Sequence, residues 1–210
     1  MRLYSYFRSS AAFRVRIALN LKQLPYETVP VHLLRAGGEQ HQQSFVARSP
    51  AHLVPVLEEG ATVLTQSLAI MEYLEETHPQ PPLLPTAAAE RAHVRALALS
   101  VACDIHPLNN LRVLRVLQDA GLDEARRRAW SQHWIEIGFG AMERLLSDAD
   151  EFCHGGRPGM ADCCLIPQVF NALRVGCALE SYPRIARVHH HCMQLEAFQQ
   201  ATPEAQRDAE

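Results

Sequence analysis

Apolar positions along this chain follow two rhythms, one before residue 78 and another after residue 86. In the first stretch, short apolar runs alternate with turn residues. Residues 2–7 (RLYSYF) predict a strand, bounded by Arg8-Ser9-Ser10. From Ala11 to Lys22 the spacing of Ile17, Ala18 and Leu21 predicts a helix with one buried stripe, and Ser9 or Ser10 is its natural N-cap. Tyr26–His32 predicts a second strand, and the polar stretch around 39–48 a short helix or irregular segment. Two more strands fit 54–58 and 61–65, joined by Glu59-Gly60 turn chemistry. Gln66-Ser67 then opens an amphipathic helix from Leu68 that ends near Thr77. The order β-α-β-α-β-β-α predicts a small mixed sheet covered by helices.

His78-Pro-Gln-Pro-Pro-Leu-Leu-Pro85 reads as a stiff linker, because its prolines cannot continue a helix. Beyond it no strand pattern appears. Residues 90–117, 123–146, 160–175 and 182–198 predict helices rich in Ala, Leu and Arg, and the polar last dozen residues are expected to fray. The chain therefore divides into a mixed α/β domain over 1–80 and an all-helical domain over 86–210.

Composition narrows the class. With 48% hydrophobic and 20% charged residues a sizeable core is available, and a net charge of −3 argues against nucleic acid as the main partner. No apolar run is long enough for a membrane span and the first residues do not read as a secretory signal, so the cytoplasm is the expected compartment. Cys103, Cys153, Cys163, Cys164, Cys177 and Cys192 follow no zinc spacing, and no metal is expected; they read as core residues with a few surface thiols. Residues 1–102 hold no cysteine, so thiol chemistry in that half needs a thiol from outside.

Three short motifs carry chemistry. A strand running into a serine-capped helix presents unsatisfied N–H groups and a positive dipole, which suit an anion or a thiolate. Thiol–disulfide oxidoreductases of this layout carry Cys-x-x-Cys there; Ser9-Ser10-Ala11-Ala12 excludes self-contained redox chemistry and leaves an ordinary N-cap as the simpler reading. Val54-Pro55 at a strand edge suggests a cis peptide that would expose the Val54 main chain to an extended ligand. Gln66-Ser67, at a helix start, offers an amide and a hydroxyl to a small carboxylate, or is a plain cap.

Together with YETVPVHL (26–33), IHPLNNLRVL (105–114), MADCCLIPQVFNA (160–172) and LEAF (195–198), these motifs make the chain resemble a zeta-class glutathione transferase along essentially its whole length. The resemblance implies a thioredoxin-like domain followed by an all-α domain, a bound glutathione and usually a homodimer. Carried over position by position, Ser9 and Ser10 would sit by the glutathione sulfur, with Ser9 the activating hydroxyl. Gln40, Val54, Gln66 and Ser67 would hold the peptide, with Gln66-Ser67 at its γ-glutamyl end. His106, Asn110 and Arg112 would close the site, and Arg8 and Arg174 would meet substrate carboxylates. His106 could instead move a proton, or be structural.

Enzymes of this class implied by the resemblance isomerise maleyl diacids: a thiolate adds to the double bond, the bond turns, and elimination leaves the trans product. Maleylacetoacetate to fumarylacetoacetate (tyrosine catabolism) is the default substrate. Maleylpyruvate (gentisate pathway) and glutathione transfer to small electrophiles are the alternatives. The arginines suit a dianion better than a hydrophobic electrophile. Ala11 stands where the class has a cysteine, which bears on substrate preference because glutathione brings the sulfur. The His189-His190-His191 run points in several directions on a helix and does not read as a metal site; Arg126-Arg127-Arg128 reads as a solvated face.

Overall fold

A computed structural model describes all 210 residues. The chain forms two compact units, residues 1–83 with 193–210, and residues 84–192. This differs from the boundary expected from the sequence, because the last residues belong with the first domain.

In the first unit, β1 (Arg2–Ser5), α1 (Ser10–Leu21), β2 (Glu27–Pro30), α2 (Gln43–Val46), β3 (Val56–Glu59), β4 (Thr62–Thr65) and α3 (Ser67–Thr77) follow the predicted order. The sheet order is β2-β1-β3-β4; β1 and β2 run parallel, while β1–β3 and β3–β4 are antiparallel. Strand alternation sorts the side chains. Tyr4 and Val56 stand opposite each other and pack with Tyr6, Phe7, Val31, Phe45 and Val54. Leu3 and Leu57, on the other face, are fully buried. Helices α1 and α3 pack against one another.

Two buried cations organise this unit. Lys22, just past α1, points its Nζ at Glu75 Oε2 (2.8 Å) and donates to the carbonyls of His78 (2.6 Å) and Pro81 (3.0 Å). Glu75 Oε2 also accepts from the Leu83 N–H at 2.9 Å, so one ion pair ties α1, α3 and the proline linker together. Arg16 is fully buried and donates to Ser5 Oγ, the Phe7 carbonyl and the Ala201 carbonyl (3.0, 3.0 and 2.9 Å). Burial lowers its pKa to about 10. The C-terminal segment, expected to fray, is ordered instead. It forms α9 (Glu196–Gln199), buries Phe198, Ala201 and Pro203, and packs on α1. Three apolar residues among many polar ones suffice to anchor it, and polar composition alone does not reveal them.

The second unit contains α4 (Ala88–Leu99), α5 (Leu111–Asp119), α6 (Glu124–Leu145), α7 (Met160–Val175) and α8 (Pro183–Met193). The helix expected over 90–117 is broken. After α4 the chain loosens into a π-type stretch at Ser100–Ile105 and tightens into a 3₁₀ turn at His106–Asn109. Pro107 supplies no N–H to continue an α-helix, and Asn110 caps α5 through an acceptor bond from Arg112 N–H at 3.1 Å. The helix expected over 182–198 likewise ends at Met193. Gly159 precedes α7 with no capping side chain, so the buried Asp162 does that work. Its oxygens accept from the N–H groups of Gly159 and Cys153, both at 2.8 Å, while burial pushes its carboxyl up. Cys153, Cys163, Cys164, Cys177 and Cys192 are core residues and Cys103 is exposed.

Candidate active site

Register alone gathers the first unit's candidates at one end of the sheet. Tyr4 at the end of β1 pairs with Val56 at the start of β3, and Val56 pairs with Thr65 at the end of β4. The segments leaving or entering there are Tyr6–Ser9, Val54-Pro55 and Gln66-Ser67. The Tyr6–Ser9 turn is closed by Ser9 N–H donating to the Tyr6 carbonyl at 2.9 Å.

Ser9 is the N-cap of α1: its Oγ accepts from Ala12 N–H at 3.2 Å, which leaves the hydroxyl proton to donate. Ser10 is buried in the first turn. The Val54–Pro55 bond is cis, and the Val54 N–H and C=O take part in none of the protein's hydrogen bonds. Gln66 adopts φ +68°, an unusual conformation for a residue with a side chain, and its side chain is exposed beside the α3 N-terminus. Ser67 is buried, and its Oγ accepts from Arg14 Nη1 at 3.2 Å.

Gln40 lies in a 3₁₀ turn, Glu39–His41, whose main chain is tied to the Val54 segment through His52 Nδ1, 3.2 Å from the Gln40 carbonyl. Its side chain is buried, with Nε2 donating to the Leu33 carbonyl at 3.4 Å and Oε1 without a partner. Gly38 makes room for it, since a Cβ there would stand 2.4 Å from Gln40 Nε2. Arg8 is exposed but held, with Nη2 donating to Tyr6 Oη at 3.1 Å and its guanidinium 5.2 Å from the centre of the Phe7 ring.

These groups suit a small peptide thiol. The Val54 main chain can add one strand-like pair of hydrogen bonds, Gln40 Oε1 lacks a donor, and the N-termini of α1 and α3 suit anionic groups. Arg14 was missed in the sequence. The signal was the pair of cations, Arg14 and Arg16, inside the otherwise apolar FRVRIAL stripe, which must find partners when buried.

The second unit's candidates are positioned by different means. His106 opens the 3₁₀ turn, Asn110 caps α5 and the exposed Arg112 sits in its first turn. This segment is pinned by packing. Ile105 is fully buried against Gly138 of α6, where a Cβ would come within 2.3 Å of it, and Trp130 Nε1 donates to the Leu108 carbonyl at 2.9 Å. Arg174 lies in the last turn of α7, exposed, two residues before the left-handed Gly176 that ends the helix.

Comparison with known proteins bears on the same segments. Residues 3–82 match the family model for the glutathione S-transferase N-terminal domain. A probable maleylacetoacetate isomerase of Vibrio cholerae is 51% identical over 209 residues, which cover 99% of this chain and 97% of that one. The holo structure of maleylpyruvate isomerase, a bacterial zeta-class glutathione S-transferase, superposes with a TM-score of 0.96 at 48% identity and full coverage of both chains. The structure of maleylacetoacetate isomerase from Anaeromyxobacter dehalogenans with glutathione in its active site gives 0.89 at 46% identity, covering 100% of this chain and 97% of that one. Identity at this level, over the whole length, extends beyond the fold shared by a superfamily: the chain belongs to the zeta-class glutathione transferases, the family of maleylacetoacetate and maleylpyruvate isomerases.

Proposed function

We propose that this chain is a glutathione-dependent cis–trans isomerase of a maleyl diacid, with maleylacetoacetate to fumarylacetoacetate, in tyrosine catabolism, as its main reaction. The observation that carries the reading is the register Tyr4–Val56–Thr65, which brings Ser9, Val54 and Gln66-Ser67 to one sheet end in a chain 51% identical to a probable maleylacetoacetate isomerase. Maleylpyruvate is the second reading, favoured by the 0.96 TM-score to maleylpyruvate isomerase. Transfer of glutathione to small electrophiles fits as a side activity. In keeping with the family, the enzyme works as a homodimer in the cytoplasm.

Bound glutathione supplies the thiolate that adds to and leaves the maleyl double bond, so that a bond locked by π overlap can turn. Ser9 donates its hydroxyl proton to that sulfur, and the α1 N-terminus, with Ser10 in its first turn, lowers the thiol pKa. Val54 holds the peptide through its main chain, and Gln40 adds a side-chain contact. Gln66 and Ser67 bind the γ-glutamyl end, with Arg14 fixing the Ser67 hydroxyl. Arg8 and Arg174 take the substrate carboxylates, where a planar guanidinium can pair bidentately. His106, Asn110 and Arg112 contact glutathione, and His106 is placed in the role of proton transfer.

The test is an isomerase assay on both maleyl substrates with and without glutathione. Activity is expected only with glutathione, and activity that survives its omission overturns the reading. Arg8→Ala and Arg174→Ala are expected to raise KM for the diacid roughly tenfold or more, since a hydrogen bond to a charged group contributes about 1.5–3 kcal/mol. An unchanged KM removes them from substrate binding.

A further inference from the structure

The turn that carries Ser9 is held from behind by the C-terminal segment. Both main-chain groups of Phe7, the second residue of the Tyr6–Ser9 turn, are spoken for. Its carbonyl accepts from Arg16 Nη2 at 3.0 Å, and its N–H donates to Asp208 Oδ2 at 3.2 Å. Arg16 is shared between that turn and the C-terminal segment, because its Nε donates to the Ala201 carbonyl at 2.9 Å. The segment is anchored independently through Phe198 and Ala201, both fully buried, and through Asn20 Nδ2, which donates to the Ala197 carbonyl at 2.9 Å.

Two residues further on, Glu210 pairs with Arg35 and lies 3.5 Å from His32 Nε2. His32 in turn exchanges hydrogen bonds with Glu39, its N–H to Glu39 Oε2 at 2.7 Å and the Glu39 N–H to its carbonyl at 2.8 Å. Glu39 directly precedes Gln40. One anchored segment thus reaches two of the segments that bear glutathione-binding candidates within the first unit, the Ser9 turn and the Gln40 loop.

We propose that residues 198–210 brace the glutathione site, with Asp208 a positioning residue for Ser9 and Glu210 a positioning residue for the Gln40 loop. The proposal rests on the glutathione reading above. Its physical basis is that a β-turn exposed on one side has several accessible geometries. Fixing both peptide groups of Phe7 selects one of them, so the Ser9 hydroxyl meets the thiol without paying ordering entropy at binding. A brace of this kind acts on the thiol through Asp208 and on peptide affinity through Glu210.

The experiment uses the full chain with Asp208→Ala, Asp208→Asn and Glu210→Ala. Readouts are glutathione KM, kcat, melting temperature and the pH titration of the ultraviolet thiolate absorbance of bound glutathione. In the parent protein, a thiolate signal that titrates below free glutathione is expected; its absence refutes the glutathione reading itself, and the brace with it. Given that signal, Asp208→Ala is expected to raise the thiol pKa by about one unit, a tenfold loss of thiolate at limiting pH. Asp208→Asn, which keeps an acceptor oxygen for Phe7, restores most of it. Glu210→Ala raises KM for glutathione several-fold and leaves the thiol pKa in place. A chain ending at Arg207 keeps the Phe198 and Ala201 anchors and is expected to show both effects together. If Asp208→Ala and the shortened chain both titrate like the parent, the brace is refuted while the glutathione reading stands.

Discussion

The two units place their candidate residues by opposite means. In the first, every glutathione-binding candidate except Gln40 lies at or just outside the end of a regular element. Hydrogen-bond register between β1, β3 and β4 then fixes which ends coincide. In the second, His106 and Asn110 lie where a helix is interrupted, and their position depends on Ile105 filling the space left by Gly138. A site built on register tolerates changes in side-chain packing better than one built on a single close contact.

The comparison can be broken most severely in the first unit, at the ion pair beneath its linker. Lys22→Met removes the cation that faces buried Glu75 and the donor to the His78 and Pro81 carbonyls. It is expected to cost about 3–5 kcal/mol of stability, the usual result of breaking one side of a buried pair. Urea unfolding measures it, and a loss below about 1 kcal/mol on the same scale would show the pair to be dispensable.

Gly138→Ala tests the second unit. Helix propensity alone favours alanine by about 1 kcal/mol. The new Cβ, however, falls 2.3 Å from two atoms of fully buried Ile105, and overpacking of this kind costs about 1–3 kcal/mol. Packing is expected to win, with net destabilisation and a higher KM for glutathione, because His106 and Asn110 follow Ile105 directly in the chain. An unchanged glutathione KM in a destabilised protein would remove His106 and Asn110 from the glutathione contacts. An increase in melting temperature would show that Ile105 moves aside at no cost.

The smallest effect concerns α8. Arg184 meets Asp148 through two hydrogen bonds of 2.6 Å, which hold the Asp148 carboxyl below its ordinary pKa of 3.8. A carboxyl with a depressed folded-state pKa adds stability above its unfolded value and loses it as pH falls through the folded one. Asp148→Asn should therefore melt slightly lower than the parent near neutral pH, and the two curves should converge below about pH 4. Parallel curves across that range would remove the pair from the stability of this unit.

How much of this was legible beforehand depended on range. Strand–turn–helix order and the Ser9 cap followed from local chemistry and motif, because each is set by a few neighbouring residues. The cis Val54–Pro55 bond was only suggested by its place at a strand edge and is settled by the structure. The break after His106 is signalled locally by Pro107 and Asn110 within an otherwise helical pattern. The π-type stretch before it was not legible, because it packs against Gly138, some thirty residues away in sequence. The C-terminal segment was misjudged for the same reason. Its composition is polar, but Phe198 and Ala201 find their places only against α1.

By itself, then, the sequence determined the elements, the absence of a cysteine in the first domain and the need to borrow a thiol. Those are properties of residue types and short spacings. Only the tertiary structure decided that Tyr4, Val56 and Thr65 align, that Arg14 stands beneath Ser67, and that Asp208 closes behind the Ser9 turn. Apart from the Val56–Thr65 pair, each of these joins residues more than fifty positions apart, and a contact of that range exists only once the chain has buried the surfaces between them.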